Sequence, residues 1–344
     1  MNVRPILPEA RAIYDSCDII DLHVDTFIWN RIFGYDLRKR HGRGLTGAHF
    51  MSQVDLPRLR EAKVSGAIWS ITTNPFRTSR ARSEIFTRNF ARLTEIFESV
   101  PNEVALVKTV ADYFDAKSQH RHAAWIGVQG GNALDFDLDA IDRFGDRLIK
   151  VTVVHLLSSP LGVTSAPSPM GRSTKGLTGR GREFIERLNA NRIFVDLAHI
   201  HHEGFFDALK VHDRSKPVLV SHTGISGVHP HWRNLDDEQI RAVADTGGTI
   251  GIIYQSTFLG DPALKGRAES VVNHIEHVVN LVGDDYVSLG SDWDGMILTP
   301  TDMPTCLELP RLVQLMLDRG WSAERIQKIM GGNFLRALKL LRGA

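Results

Sequence analysis

Eight short apolar runs, each followed by a stretch with helical spacing, constrain this chain more than any other feature. The runs cover residues 19–23, 67–71, 123–128, 148–153, 193–197, 218–221, 249–253 and 287–290. Their continuous apolar character is how strands buried on both faces read. Between them lie amphipathic patterns such as 83–100, 181–190, 236–245 and 270–282. Asp236-Asp237-Glu238 places negative charge where a helix start favours it. Strand then helix, repeated eight times, predicts a (β/α)8 barrel. A further apolar run at 104–107 and extra helices after Cys306 read as additions to that barrel. No composition break marks a boundary, so residues 1–344 are expected to form one domain. The one Ser/Thr/Pro/Gly-rich segment, 157–178, reads as a long active-site loop rather than a linker.

Composition removes several classes of function. With 41 Lys+Arg against 40 Asp+Glu, the formal net charge of +1 offers no basic surface for nucleic acid. The N-terminus lacks an apolar leader, and no stretch approaches the roughly 20 apolar residues that span a bilayer. A soluble, cytoplasmic protein with no membrane partner is expected. Cys17 and Cys306 are the two cysteines and form no C-x-x-C pair, which argues against a disulfide framework or a thiolate metal site. Any metal must be held by His and carboxylate groups.

Barrel active sites are built at the C-terminal ends of the strands, so polar residues at those ends carry the most information. In Asp21-Leu22-His23-Val24-Asp25, His23 and Asp25 stand two residues apart and face one point in an extended chain. Gln129-Gly130-Gly131 follows the third run, His155 the fourth, His199 the fifth, His222 the sixth and Asp292 the eighth. Each alone has an ordinary reading as a core histidine, a turn or a cap; their recurrence at one edge does not. The remaining histidines, among them His41, His49, His120, His122, His201, His202, His274 and His277, fall in helical or loop contexts and are expected mostly in solvent. No G-x-S-x-G elbow, H-E-x-x-H helix or phosphate-binding glycine loop occurs.

Asp-x-His-x-Asp near the start, Val195-Asp196-Leu197-Ala198-His199, Ser221-His222, Arg233-Asn234-Leu235 and Gly290-Ser291-Asp292-Trp293-Asp294-Gly295 together resemble the membrane (renal-type) dipeptidase family of the amidohydrolase superfamily. The resemblance implies a homodimeric barrel enzyme with two zinc ions that hydrolyses dipeptides bearing a free carboxylate, including ones with a C-terminal D-residue. By the same resemblance His23 and Asp25 bind one metal, and His199 and His222 the other. Asp292 serves as general base and then acid, His155 faces the scissile carbonyl oxygen, and Arg233 clamps the substrate carboxylate with its two-pronged guanidinium.

One position departs from the family. Where relatives carry a glutamate that bridges both metals, this chain has Gln129. A carboxamide is neutral and its nitrogen has no usable lone pair, so it neither bridges nor offsets two dications, and it would instead line the substrate side. Fewer than two tightly held metals are therefore expected. The change keeps two alternatives open: a different hydrolytic reaction on a small amide, lactam or N-acyl amino acid, or a non-hydrolytic biosynthetic descendant. Ile253-Tyr254-Gln255 lies where relatives often offer a tyrosine to the substrate.

Overall fold

The continuous apolar runs do become parallel strands. The computed structural model describes residues 5–44, 46–167 and 176–343; residues 168–175 of the expected active-site loop lie outside them. The strands are β1 (Ile20–Val24), β2 (Gly66–Thr72), β3 (Val104–Leu106), β4 (His122–Gln129), β5 (Lys150–Thr152), β6 (Phe194–Asp196), β7 (Leu219–Thr223), β8 (Thr249–Ile252) and β9 (Val287–Leu289). β1 pairs with β2 and β9, β2 pairs with β4, and β4 to β9 pair in succession, all in parallel. Eight strands thus close into a barrel. β3 stands outside the ring and, among the described residues, pairs only with the start of β4, from Val104↔His122 to Leu106↔Ala124.

The helices start where side chains can satisfy free backbone N–H groups. Thr78 caps Ser79–Glu98 by accepting from Ala81 N, and Thr178 caps Gly179–Ala190 through Gly181 N. Asp236 and Gln239 form a reciprocal capping box on Asp237–Asp245. After the barrel come Pro310–Asp318, Ala323–Gln327 and Asn333–Arg342. Asn333 ties the last of these to the barrel by donating to Asp284 O and Val287 O, both at 2.7 Å. Phe334 then packs edge-on to Trp125 at 5.1 Å, within a buried cluster that includes Ile20, Ile68, Phe194 and Leu219. Each such burial contributes about 1.5–3 kcal/mol. This apolar layer fills the barrel below the polar site.

Two histidines expected in solvent belong to the core. His122, at the start of β4, pairs its Nδ1 with Val64 O at 2.9 Å and accepts from Trp69 Nε1 at 3.2 Å, and His274 is fully buried in Ala268–Val282. Both are satisfied core groups, which a helical or loop context in the sequence does not exclude. No helix among the described residues is long and apolar enough to cross a membrane.

Candidate active site

The site rises in layers from the barrel interior. At its floor Lys150, fully buried, extends Nζ to Asp196 Oδ2 at 2.7 Å, His23 Nδ1 at 2.9 Å, Ser221 Oγ at 3.1 Å and Thr152 Oγ1 at 3.2 Å. Gly127, paired in register with Lys150, makes the space: a Cβ there would lie 2.9 Å from Ile68 Cγ2 and 3.0 Å from Lys150 Cγ. Asp196 is the anion of this layer. It accepts from Thr152 Oγ1 and Ser221 Oγ, both at 2.6 Å, and from Ser221 N at 2.9 Å. These donors and the Lys150 ammonium hold its carboxyl below the usual range against the opposing effect of burial.

Above the floor two register shifts turn consecutive residues inward. One lies in β1 between Asp21 and Val24, the other in β7 between Val220 and Thr223. The second lets Ser221 reach the floor while His222 reaches the site. The rings of His23 and His222 lie 3.9 Å apart, and His222 Nε2 is 2.8 Å from His199 Nε2. His23 Nε2 faces Asp25 Oδ1 at 3.5 Å and Asp292 Oδ1 at 3.7 Å. His155 packs edge-on against His199 at 4.6 Å. With its amide nitrogen turned to the carboxylate, Gln129 donates to Asp25 Oδ2 at 2.6 Å and Oδ1 at 3.1 Å and accepts from His155 Nε2 at 3.2 Å. Arg233, also buried, donates through Nη2 to His222 O at 2.7 Å and leaves Nε without a partner. Every residue singled out at the strand ends thus lines one mouth.

Backbone conformation and electrostatics mark the same residues. His199 and Asp292 hold φ of +66° and +62°, left-handed values that cost of order 1–3 kcal/mol each outside glycine. Burial drives His199 and His222 well below the ordinary histidine value and His155 down to about 3, so all three rings are neutral at pH 7. Burial, with Asp25 adding to it, pushes Asp292 well above the usual carboxylate range, while Arg233 opposes the shift. Arg233 is itself pushed down to about 10 by burial and remains a cation.

This donor set suits a divalent ion. Asp292 Oδ1 is buried without a hydrogen-bond partner, and His23, His222 and Asp292 place ligand-type atoms within 4.8 Å of one another. The facing His199 and His222 nitrogens share a hydrogen at this distance, a place that an ion can take. Tetrahedral ligands at about 2.0–2.1 Å stand about 3.3 Å apart, so the His199 and His222 rings need spread by only about half an ångström.

Several supporting groups went unread in the sequence. Lys150 and Thr152 sat inside an apolar run, where a lysine flanked by Ile149 and Val151 was the available signal. Asp21 accepts from His23 N at 2.9 Å and Ser291 N at 3.1 Å, tying β1 to the Asp292 turn, and its burial raises it to about 7. Asp294 accepts from Thr26 Oγ1 at 2.6 Å and Gln53 N at 3.0 Å. Tyr254 does not meet the expectation of a substrate contact: it is fully buried, edge-on to Trp293 at 5.5 Å.

Comparison with known proteins agrees with this geometry. The chain is 34% identical over 267 residues to a Klebsiella pneumoniae protein described as an uncharacterized protein in the pqqA 5' region, spanning 74% of this chain and 96% of that one. It is 30% identical over 298 residues to dipeptidase tcpJ of Claviceps purpurea (strain 20.1), spanning 83% of this chain and 68% of that one. The solved structure of a metallopeptidase from Rhodobacter sphaeroides, liganded with a phosphinate mimic of the dipeptide L-Ala-D-Ala, shares the fold with a TM-score of 0.83 at 21% identity, over 94% of this chain and 99% of that one. The profile of the membrane dipeptidase family, peptidase family M19, matches residues 7–342, and the chain belongs to that family.

Proposed function

We propose that this protein is a metal-dependent dipeptidase that cleaves the amide bond of small dipeptides with a free C-terminal carboxylate, including those ending in a D-residue. The observation that carries the reading is the neutral His199–His222 pair, 2.8 Å apart, beside the buried and unpartnered Asp292 Oδ1. His199 and His222 would hold the ion, with His23 and Asp25 lining the β1 side of the same mouth. A divalent ion there, which we take to be zinc, supplies Lewis acidity that polarises a carbonyl and acidifies a water. Gln129 leaves the mouth short of anionic groups, so we expect fewer than two tightly bound ions per chain.

The chain's own groups do the rest. As a water oxygen bonds to the amide carbon, Asp292 takes its proton, and as the C–N bond breaks the same proton passes to the leaving amine. The upward displacement of its pKa suits a carboxyl that must carry a proton between two steps. His155, neutral down to about pH 3, carries one N–H, given to Gln129 in this structure, which it would turn to the developing oxyanion in place of a full charge. Arg233 remains charged and has Nε free, so it would anchor the substrate carboxylate. The ligand of the Rhodobacter sphaeroides structure, a mimic of L-Ala-D-Ala, supports the substrate class.

We take the protein to be a cytoplasmic homodimer, the dimer supported by kinship and the compartment by the buried, unpaired Cys17 and Cys306; light scattering and cell fractionation check these. The activity is tested with L-L and L-D dipeptides beside their C-terminally amidated forms. Hydrolysis of the free acids, lost on chelation and restored by zinc, is expected. Metal-replete protein that cuts no dipeptide overturns the reading, and equal cleavage of the amidated forms removes the role of Arg233.

A further inference from the structure

We propose that Lys150 is a resident cation that withdraws the β1 side of the site from metal binding, so that the ion rests on His199 and His222 while His23 keeps a hydrogen on Nε2 and is not a ligand. The inference deepens the preceding reading and rests on the site's holding a metal.

The hydrogens of the floor can be traced one by one. An ammonium has three donors and no acceptor, so the three nearest groups, Asp196 Oδ2, His23 Nδ1 and Ser221 Oγ, take its hydrogens and Thr152 Oγ1, at 3.2 Å, shares one of them. Asp196 Oδ2 takes the hydrogens of Thr152 Oγ1 and Ser221 Oγ, so both hydroxyls face Lys150 with lone pairs. His23 Nδ1, 2.9 Å from Lys150 Nζ, must likewise present its lone pair. The other groups near that nitrogen, Ser70 Oγ at 3.3 Å and Ser221 Oγ at 3.4 Å, stand farther off. A neutral imidazole with its lone pair on Nδ1 carries its hydrogen on Nε2. Nε2 is the atom that faces Asp25 and Asp292, and a nitrogen carrying hydrogen has no lone pair for an ion.

His222 is set the opposite way by the same floor. Its Nδ1 lies 2.9 Å from Ser221 Oγ, whose hydrogen is committed to Asp196, so Nδ1 donates and Nε2 keeps its lone pair toward His199. Proximity groups His23 with His222 and Asp292; the hydrogens separate them. Asp25, the other candidate on the β1 side, has both oxygens engaged by the Gln129 amide. Lys150 and Gln129 act together. One supplies a fixed positive charge beside His23 and the other withholds the negative charge that a second dication would need. Gly127 provides the room for the lysine stem, so the arrangement is built into two neighbouring strands. Lys150 is a positioning residue: it touches neither ion nor substrate and acts only by setting which nitrogen of His23 carries the hydrogen.

Diffraction from the zinc-loaded native protein at the zinc absorption edge locates the ion without any substitution. The expected result is one ion within about 2.0–2.2 Å of His199 Nε2 and His222 Nε2 and none at that distance from His23 Nε2. An ion on His23 Nε2, whatever the total, overturns the proposal, as does the absence of an ion from the His199–His222 pair. Elemental analysis supplies the second arm. Gln129→Glu alone should stay near one zinc per chain, and Gln129→Glu with Lys150→Met should rise toward two; a rise with Gln129→Glu alone overturns the part given to Lys150. Failure to hydrolyse dipeptides with the ion placed as expected would instead overturn the dipeptidase reading and leave this inference standing.

Discussion

Replacing Asp196 with Asn should destabilise the protein more than any other single change at the floor of the site. The substitution keeps an oxygen to accept from Thr152 and Ser221 but strips the Lys150 ammonium of its counter-charge, with both side chains fully buried. Breaking a buried pair by removing one partner costs about 3–5 kcal/mol. Unfolding entropy near 2.1 cal/mol/K per residue gives about 0.7 kcal/mol/K for a chain of 344 residues, so Tm should fall by about 4–7 °C. The pH matters for the comparison. Asp196 is held below its unfolded value, so its contribution is fully present above about pH 4 and is lost only as the pH falls through the depressed folded value. Calorimetry at pH 7 therefore sees the whole effect. Lys150→Met combined with Asp196→Asn should recover much of the loss, since no unpaired charge remains. A Tm within about 1 °C of native for Asp196→Asn alone would refute the reasoning.

Three further outcomes follow from the same geometry. Asp292→Asn should lower kcat by roughly 10²- to 10⁴-fold while zinc content changes little, whereas His222→Ala should lose zinc; equal zinc loss in both contradicts the separate roles. Arg233→Lys should raise KM for free dipeptides by roughly 5- to 150-fold, because a point charge replaces a planar fork, and an unchanged KM would remove it from the substrate. His122 stays neutral down to about pH 4 when folded, against about 6.5 unfolded, so between those values the unfolded chain holds the extra proton and stability falls with pH. The full cost is about 3 kcal/mol, and urea titrations across that range should show a shallower pH slope for His122→Gln than for the native chain.

The barrel was legible because its strands are buried on both faces and so read as unbroken apolar runs, and because the helices between them carry their own caps. The ligand-type residues were legible for a related reason: polar side chains at the C-terminal ends of such runs have no packing role that would explain them. What stayed hidden was what lies beneath. Lys150 reads as an interruption of an apolar strand until the register places it opposite Gly127 and beside Asp196, a contact across two strands and 46 residues. His122 and His274 were misplaced in solvent because burial of a single histidine leaves no periodic trace. The run at 104–107, by contrast, was read as an addition to the barrel and is the 3-residue strand Val104–Leu106 outside the ring.

The most direct test of the account is hydrolysis of an L-D dipeptide measured against zinc bound per chain, from metal-free protein upward. Activity should climb in proportion to bound zinc and stop rising at one equivalent. Activity that continues to climb to two equivalents, or that is absent at every loading, would contradict a single-ion dipeptidase built on His199, His222 and Asp292.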